Sequence, residues 1–274
     1  MLLVLDIGNT NIVSALFDEQ NKVSVSWRLQ TDRHKTKDEY TILMLEAMEN
    51  HAIEATQIDG VIISSVVPPL NPLFTELFQE QWGILPLVVQ KGIKTGINLR
   101  IDDPKGLGAD RIVNAVAALH IYGGPIITVD LGTATTICAI NDKGDFLGGV
   151  ICPGIGISVE ALVDQASQLP RFDIKRPDQA IGKNTTASMQ AGIYYGYRGL
   201  VDRLVKRFKS EMWEEGQEVK VVATGGFASL IGQDCSEVNY IHPSLTLEGL
   251  RILYERNSKV NEKVNEAVRS KKAN

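Results

Sequence analysis

One short pattern occurs twice in this chain, and it restricts the possible folds more than any other feature. The first copy runs from Leu2 to Leu16 and carries Asp6-Ile7-Gly8-Asn9-Thr10-Asn11. The second runs from Ile126 to Ile140 and carries Asp130-Leu131-Gly132-Thr133-Ala134-Thr135-Thr136. Each reads as an apolar strand, an Asp-x-Gly turn with polar neighbours, and a second strand. A further turn follows each copy, at Asp18-Glu19-Gln20-Asn21 and at Asn141-Asp142-Lys143-Gly144. A repeat on this scale points to two similar α/β domains of ordinary size. The best boundary is Tyr122-Gly123-Gly124-Pro125, which gives residues 1–122 and 123–274, with a small-molecule cleft expected between them.

The rest of the pattern fits duplication. Strands are predicted at 2–6, 12–17 and 23–28, as a meander. A helix follows near 37–52, opened by the capping box Thr36-Lys37-Asp38-Glu39, with Ile42, Leu45, Met48 and Ala52 on one face. The β-branched run 60–67 reads as a buried strand ended by Pro68-Pro69. A helix starts near Ala109 and stops at Gly123. The second half repeats the order, with strands at 126–130, 135–140 and about 145–152. A long helix spans about 185–212, with Met189, Ile193, Tyr197, Leu200 or Val201, Leu204 and Phe208 as its apolar stripe. A last strand at 219–223 enters Thr224-Gly225-Gly226-Phe227. Helix resumes over 247–254, and the polar, lysine-rich tail from Asn257 is expected to fray.

Composition excludes several classes of function. Hydrophobic residues make up 44% of the 274 and charged residues 22%, enough for a large core and against disorder. The formal net charge of −5 argues against nucleic acid as a partner. Asp6 breaks the initial apolar run, so no signal peptide is expected, and no run approaches the ~18 apolar residues of a membrane span. Cys138, Cys152 and Cys235 fit no zinc spacing and read as reduced packing residues of a cytoplasmic protein. His34, His51, His120 and His242 form no motif, so no histidine metal site or histidine base is expected.

The chemistry therefore belongs to the Asp-x-Gly turns. The chain holds no Gly-x4-Gly-Lys-Ser/Thr loop and no Gly-x-Gly-x-x-Gly after a strand. A glycine turn between strands still lets backbone N–H groups approach an anion, with Asn9, Thr10 and Asn11, or Thr133, Thr135 and Thr136, adding donors. An aspartate beside a phosphate makes sense when a cation stands between them, and Mg²⁺ is held by one or two carboxylates, waters and phosphates. One such aspartate alone reads more simply as a capped hairpin, but the same polar set at two equivalent strand ends favours the phosphate reading. The paired glycines Gly225 and Gly226 suit a flat ring against the backbone, a candidate adenosine contact, or a plain strand-to-helix turn. Asp110 suits either a base or a helix-dipole partner, and Arg111 either a carboxylate clamp or a solvated arginine. Thr185 opens the long helix, where N-cap and ligand contact are compatible. Gly192 and Gly196, four apart on that helix, admit close approach of another backbone.

Asp-x-Gly, Asp-x-Gly-Thr and a late Gly-Gly, in this order, resemble the acetate kinase, sugar kinase, Hsp70 and actin superfamily. Gly108-Ala109-Asp110-Arg111, Gly148-Gly149-Val150-Ile151-Cys152-Pro153-Gly154, Leu169-Pro170-Arg171 and Ile181-Gly182-Lys183-Asn184-Thr185 narrow the resemblance to type III pantothenate kinase, over residues 1 to about 255. The resemblance implies duplicated ribonuclease H-like (actin-like ATPase) domains with mixed central sheets. It implies ATP and pantothenate as substrates, Mg²⁺ with ATP, K⁺ or NH₄⁺ as a monovalent cation, a homodimer, and entry into coenzyme A biosynthesis. By position, Asp6, Ile7, Gly8, Asn9, Thr10, Asn11, Ile12 and Val13 would form the first ATP loop, with Asp6 organising Mg²⁺ or phosphate. Thr133 would contact ATP, and Asp130 would hold the monovalent cation. Asp110 would be the general base, with Gly108, Ala109, Arg111 and Thr185 at the pantothenate. Ile101 stands where the family commonly has a tyrosine; the nearest tyrosines are Tyr40 and Tyr122. The alternatives are a non-enzymatic accessory regulator of gene expression and an ATPase that drives domain motion.

Overall fold

The computed structural model describes residues 1–272, with side chains described through Ser258. By contacts the chain forms two compact units that interleave in sequence. The first holds residues 1–96, 105–117 and those described from 246 onward; the second holds 97–104 and 118–245.

The first unit contains β1 (Leu2–Ile7), β2 (Asn11–Phe17), β3 (Val23–Gln30), α1 (Lys37–Asn50), β4 (Gly60–Ser65), α2 (Leu70–Trp82) and β5 (Leu87–Val88). The predicted meander β1–β3 forms, and the sheet runs β3-β2-β1-β4-β5. β1 pairs antiparallel with β2 and parallel with β4, so the sheet is mixed. Side chains alternate across β1. Leu3, Leu5 and Ile7 enter a core that includes Tyr40, Met44 and Met48 of α1 and Phe74, Leu77 and Phe78 of α2. Asp6 therefore lies on the other face.

β6 (Asn98–Leu99), β7 (Ile126–Leu131), β8 (Ala134–Ile140), β9 (Asp145–Pro153), β10 (Lys220–Thr224) and β11 (Tyr240–Ile241) make the second sheet, ordered β11-β10-β7-β8-β9-β6. α3 (Ala109–Tyr122) precedes β7, and α4 (Ile155–Gln165), α5 (Thr185–Met212), α6 (Ala228–Ile231) and α7 (Leu245–Lys272) complete the chain. Without β6, this sheet repeats the first strand for strand, including an antiparallel β7–β8 pair and parallel β7–β10 and β10–β11 pairs. Ile127, Val129 and Leu131 pack against Tyr194, Tyr197, Val201 and Val205 of α5, which again leaves the aspartate, Asp130, on the opposite face. Mixed sheets in duplicate, the predicted α/β class, are what the chain forms.

Several local expectations shift. The capping box at Thr36 and Glu39 forms, but α1 buries Tyr40, Thr41, Met44 and Met48, while Ile42 and Leu45 are 63% and 43% exposed. Tyr40 sets this rotation, because its ring packs 5.0 Å from Phe74 and its hydroxyl donates to the Asp32 carbonyl at 2.9 Å. Helix α5 likewise buries Tyr194 and Val205 in place of the expected Ile193 and Leu204, which are only half-buried. Helix α2 was masked in the sequence by Pro68-Pro69. Pro69 sits at its N-cap, where a missing N–H costs nothing.

α7 belongs to the first unit from Thr246 onward. The Thr246 hydroxyl donates to Asn114 Oδ1 at 2.7 Å, and the Arg251 guanidinium lies 5.9 Å above the Phe17 ring. The helix continues to Lys272, where fraying is expected from Asn257. Asn257 is instead buried; its amide takes the Lys94 N–H and donates to the Lys94 carbonyl, both at 3.0 Å. Residues 273–274 of the expected tail lie outside the described residues.

Candidate functional site

In the first unit the Asp6 turn is closed by its own backbone. Ile7 pairs with Ile12 across the hairpin, and Gly8 N–H donates to the Asn11 carbonyl at 2.9 Å. Asn9 and Thr10 are exposed at the tip, with Asn11 half-buried. The chain beyond β3 clasps this turn. Thr31 donates from its hydroxyl to the Gly8 carbonyl at 2.7 Å and from its N–H to the Thr10 carbonyl at 3.0 Å. Arg33 donates from Nη2 to Asn9 Oδ1 at 2.7 Å. The sequence reading missed this clasp. Its signal was the meander itself, since pairing Asn11 with Gln30 carries residues 31–33 past the turn.

Asp110 stands in the first turn of α3, as expected. Val66 lies near both this segment and the strand end that carries Asp6. The Val66 N–H donates to the Ile7 carbonyl at 3.0 Å, and Val66 Cγ1 would lie 3.8 Å from a Cβ placed on Gly108. Such a Cβ would also lie 2.5 Å from Asp110 Oδ1, so glycine at 108 leaves the carboxylate its room. Desolvation pushes the Asp110 pKa above the ordinary carboxylate value. The Arg111 N–H, donating to Oδ1 at 2.8 Å, and the Arg111 charge oppose this without cancelling it. A carboxylate held in this way is a stronger base than one in water.

The second unit treats its aspartate differently. A Cβ on Gly225, which has φ +92°, would fall 2.5 Å from Asp130 Oδ1 and 2.6 Å from the Leu131 carbonyl carbon. A Cβ on Gly132 would fall 3.1 Å from the same oxygen. The Asp130 carboxylate is thus seated between two glycines. Phe227 N–H donates to the Leu131 carbonyl at 3.2 Å, which folds the turn after β10 over this strand end. Gly226 is exposed, and a Cβ there would meet nothing within 4 Å, so of the two paired glycines only Gly226 offers an open face for a ring. Among the expected threonine donors Thr133 is exposed, whereas Thr135 and Thr136 are buried.

A buried hydroxyl accompanies each aspartate. Asp6 pairs in register with Ser64 on β4, and Asp130 with Thr224 on β10. Ser64 Oγ and Thr224 Oγ1 are both fully enclosed and have no hydrogen-bond partner among the described residues. An orphaned buried hydroxyl costs free energy unless a ligand satisfies it. No group of three or more His, Cys, Asp or Glu side chains suited to a metal occurs among the described residues. One carboxylate with hydroxyl and backbone oxygens is a hard donor set, and it fits Mg²⁺ or a monovalent cation completed by water and phosphate rather than zinc.

Thr185 is the first residue of α5, but the N-cap is Asn184, whose side chain accepts the Ala187 N–H at 2.8 Å. Thr185 is therefore free of the capping role and exposed. It lines a groove of ≈ 530 Å³ together with Leu162, Leu169, Ser188, Met189, Gly192 and Ile193. A Cβ on Gly192, Gly196 or Gly199 would meet nothing within 4 Å, so packing within this chain does not require glycine there. Ile101 lies beside Gly148, 3.8 Å from a Cβ placed on it. None of the three cysteines is in a disulfide, and burial pushes the Cys235 thiol up to about 12. No helix among the described residues is long and apolar enough to cross a membrane.

The model of type III pantothenate kinase matches residues 2–207. The chain belongs to that family, whose members are ATP-dependent kinases. Solved structures share the fold at low identity. A putative Baf family transcriptional activator from Campylobacter jejuni is 19% identical, with a TM-score of 0.59 over 94% of this chain and 99% of that one. An activator of 2-hydroxyisocaproyl-CoA dehydratase from Clostridium difficile, solved with ADPNP, is 12% identical, with a TM-score of 0.51 over 95% and 97%. A putative N-acetylmannosamine kinase from Listeria monocytogenes is 10% identical, with a TM-score of 0.51 over 94% and 99%.

Proposed function

We propose that this member of the type III pantothenate kinase family transfers the γ-phosphate of ATP to the primary hydroxyl of pantothenate, giving 4′-phosphopantothenate and ADP. The observation that carries the reading is Asp110, a half-buried carboxylate of raised pKa in the same compact unit as the Asp6 turn. Asp110 orients the pantothenate hydroxyl and takes its proton while the new O–P bond forms and the bond from γ-phosphorus to the bridging oxygen breaks. Arg111 pairs with the pantothenate carboxylate, and Gly108, Ala109 and Thr185 line the same substrate. The turn from Asp6 to Val13 and Thr133 contact ATP.

Asp6, with the Ser64 hydroxyl beside it, holds Mg²⁺ that accompanies ATP. Asp130 and Thr224 hold K⁺ or NH₄⁺. These cations supply charge neutralisation at the phosphates when bound. The protein acts in the cytoplasm as a homodimer, and the open glycine face of α5 supports a second copy as the partner.

The deciding experiment supplies ATP, Mg²⁺, K⁺ and pantothenate and follows phosphopantothenate by mass. Robust turnover is expected, with a loss of at least ~10²-fold in Asp110→Asn, the usual scale for a positioned base. Turnover of another alcohol but not pantothenate would overturn the substrate. An unaffected Asp110→Asn would remove the base. A protein inert with every alcohol yet able to bind ATP would favour the regulatory reading.

A further inference from the structure

The clasp over the first turn contains a cation with no partner of opposite charge among the described residues. Arg33 is exposed, and among the described residues no carboxylate lies within 4.0 Å of its guanidinium. The nearest acid in sequence, Asp32, is engaged elsewhere, by the His34 N–H at 2.9 Å and by Lys35 at 3.8 Å. Arg33 spends one N–H on the Asn9 amide oxygen, a neutral acceptor. That bond fixes the side chain without cancelling its charge. The anchors beneath it are firm, because Thr31 makes two hydrogen bonds to the turn.

A guanidinium has five N–H donors in a planar fork suited to phosphate oxygens. Fixing an exposed arginine costs side-chain entropy, and a single bond to a neutral amide is a weak return for it. The chain also carries a formal charge of −5, which repels a polyphosphate in general and makes a local cation at the turn valuable.

We propose that Arg33 binds the polyphosphate of the nucleotide, with Asn9 as the positioning residue that aims it. The assignment rests on the kinase reading above and adds to it a charged contact outside the Asp6-to-Val13 turn. The shared ligand chemistry is a di- or triphosphate, so a nucleoside monophosphate is the control.

Titration calorimetry with ATP, ADP and AMP on the full chain tests this, with a thermal melt of each variant as the folding control. Arg33→Gln is expected to weaken ATP and ADP about tenfold, the scale of one charge-assisted bond, and to leave AMP within about twofold. Arg33→Lys should recover part of the loss, because it restores the charge without the fork. Asn9→Ala should weaken ATP by a smaller factor than Arg33→Gln. The wild type should also lose ATP affinity more steeply with salt than Arg33→Gln does. Equal ATP affinity in wild type and Arg33→Gln would overturn the inference alone, as would equal losses of ATP and AMP. A wild type that binds no ATP would overturn the kinase reading and this inference with it.

Discussion

The Asp6 and Asp130 turns arise from the same pattern at the same place in two copies of one sheet, yet they are built differently. The first hairpin leaves four residues, Gly8 to Asn11, between paired Ile7 and Ile12; the second leaves three, Gly132 to Ala134, between Leu131 and Thr135. A gapless match of the two sequences sets Thr136 against Ile12, whereas the register sets Thr135 there. The neighbouring strands differ as well. Register places Ser65, the last residue of β4, where Gly225 follows β10. Ser65 accepts the Val67 N–H at 3.1 Å, but Gly225 must be glycine to clear the Asp130 carboxylate. The first turn is open at its tip and clasped from outside by Thr31 and Arg33. The second is seated from within. One turn is thus a loop with exposed donors at its tip, and the other seats its carboxylate between glycines.

Asp110 gives the largest test, because it is a third aspartate held by desolvation rather than by a turn. The acid limb of kcat/KM is expected above the ordinary carboxylate range in wild type, with activity lost as pH falls through the raised pKa. The folded state binds this proton more tightly than the unfolded state, so the carboxylate costs stability as pH rises past its unfolded value. Asp110→Asn should therefore lose activity at least ~10²-fold with no fall in melting temperature at pH 7. A variant that melts well below wild type would mean that Asp110 is chiefly structural.

Gly225→Ala should break the second turn and spare the first. A left-handed φ costs roughly 1–2 kcal/mol, and crowding against Leu131 and Asp130 adds about 1–3 kcal/mol. Urea unfolding of Gly225→Ala against Ser65→Ala measures the contrast, with the serine variant expected within about 1 kcal/mol of wild type. Equal losses would erase the distinction between the turns.

The orphaned hydroxyls sharpen the comparison at a smaller scale. Ser64→Ala and Thr224→Val should leave stability within about 1 kcal/mol, since each removes a buried hydroxyl with no hydrogen-bond partner among the described residues. Activity should fall about tenfold in each, the scale of a bond to a charged ligand. In Thr224→Val the preference for K⁺ over Na⁺ should narrow, and in Ser64→Ala it should not. The smallest effect concerns α5. Gly196→Ala adds about 1 kcal/mol of helix propensity, so sedimentation should show a weaker dimer in a chain that melts higher. An unchanged dimer would move the partner face off these glycines.

Much of this was legible in the sequence, for stated reasons. Strand pairs and the long helix announced themselves by period, and α3 runs from Ala109 to Tyr122 as its flanking residues predict. The Asp-x-Gly turns and the Gly225-Gly226 pair were visible because glycine at a strand end marks a turn, and Asp110 because it opens a predicted helix. Tertiary structure alone decided the rest. Which face α1 buries depended on Tyr40 meeting Phe74, a contact between residues 34 apart in the chain. The one-residue difference between the hairpins is a matter of register, which similarity of side chains does not fix. That α7 and Asn257 complete the first unit, and that Arg33 returns beside Asn9, required the chain to fold back on itself. Local pattern encodes period and turn chemistry, whereas partners distant in sequence are chosen only when whole faces are packed together.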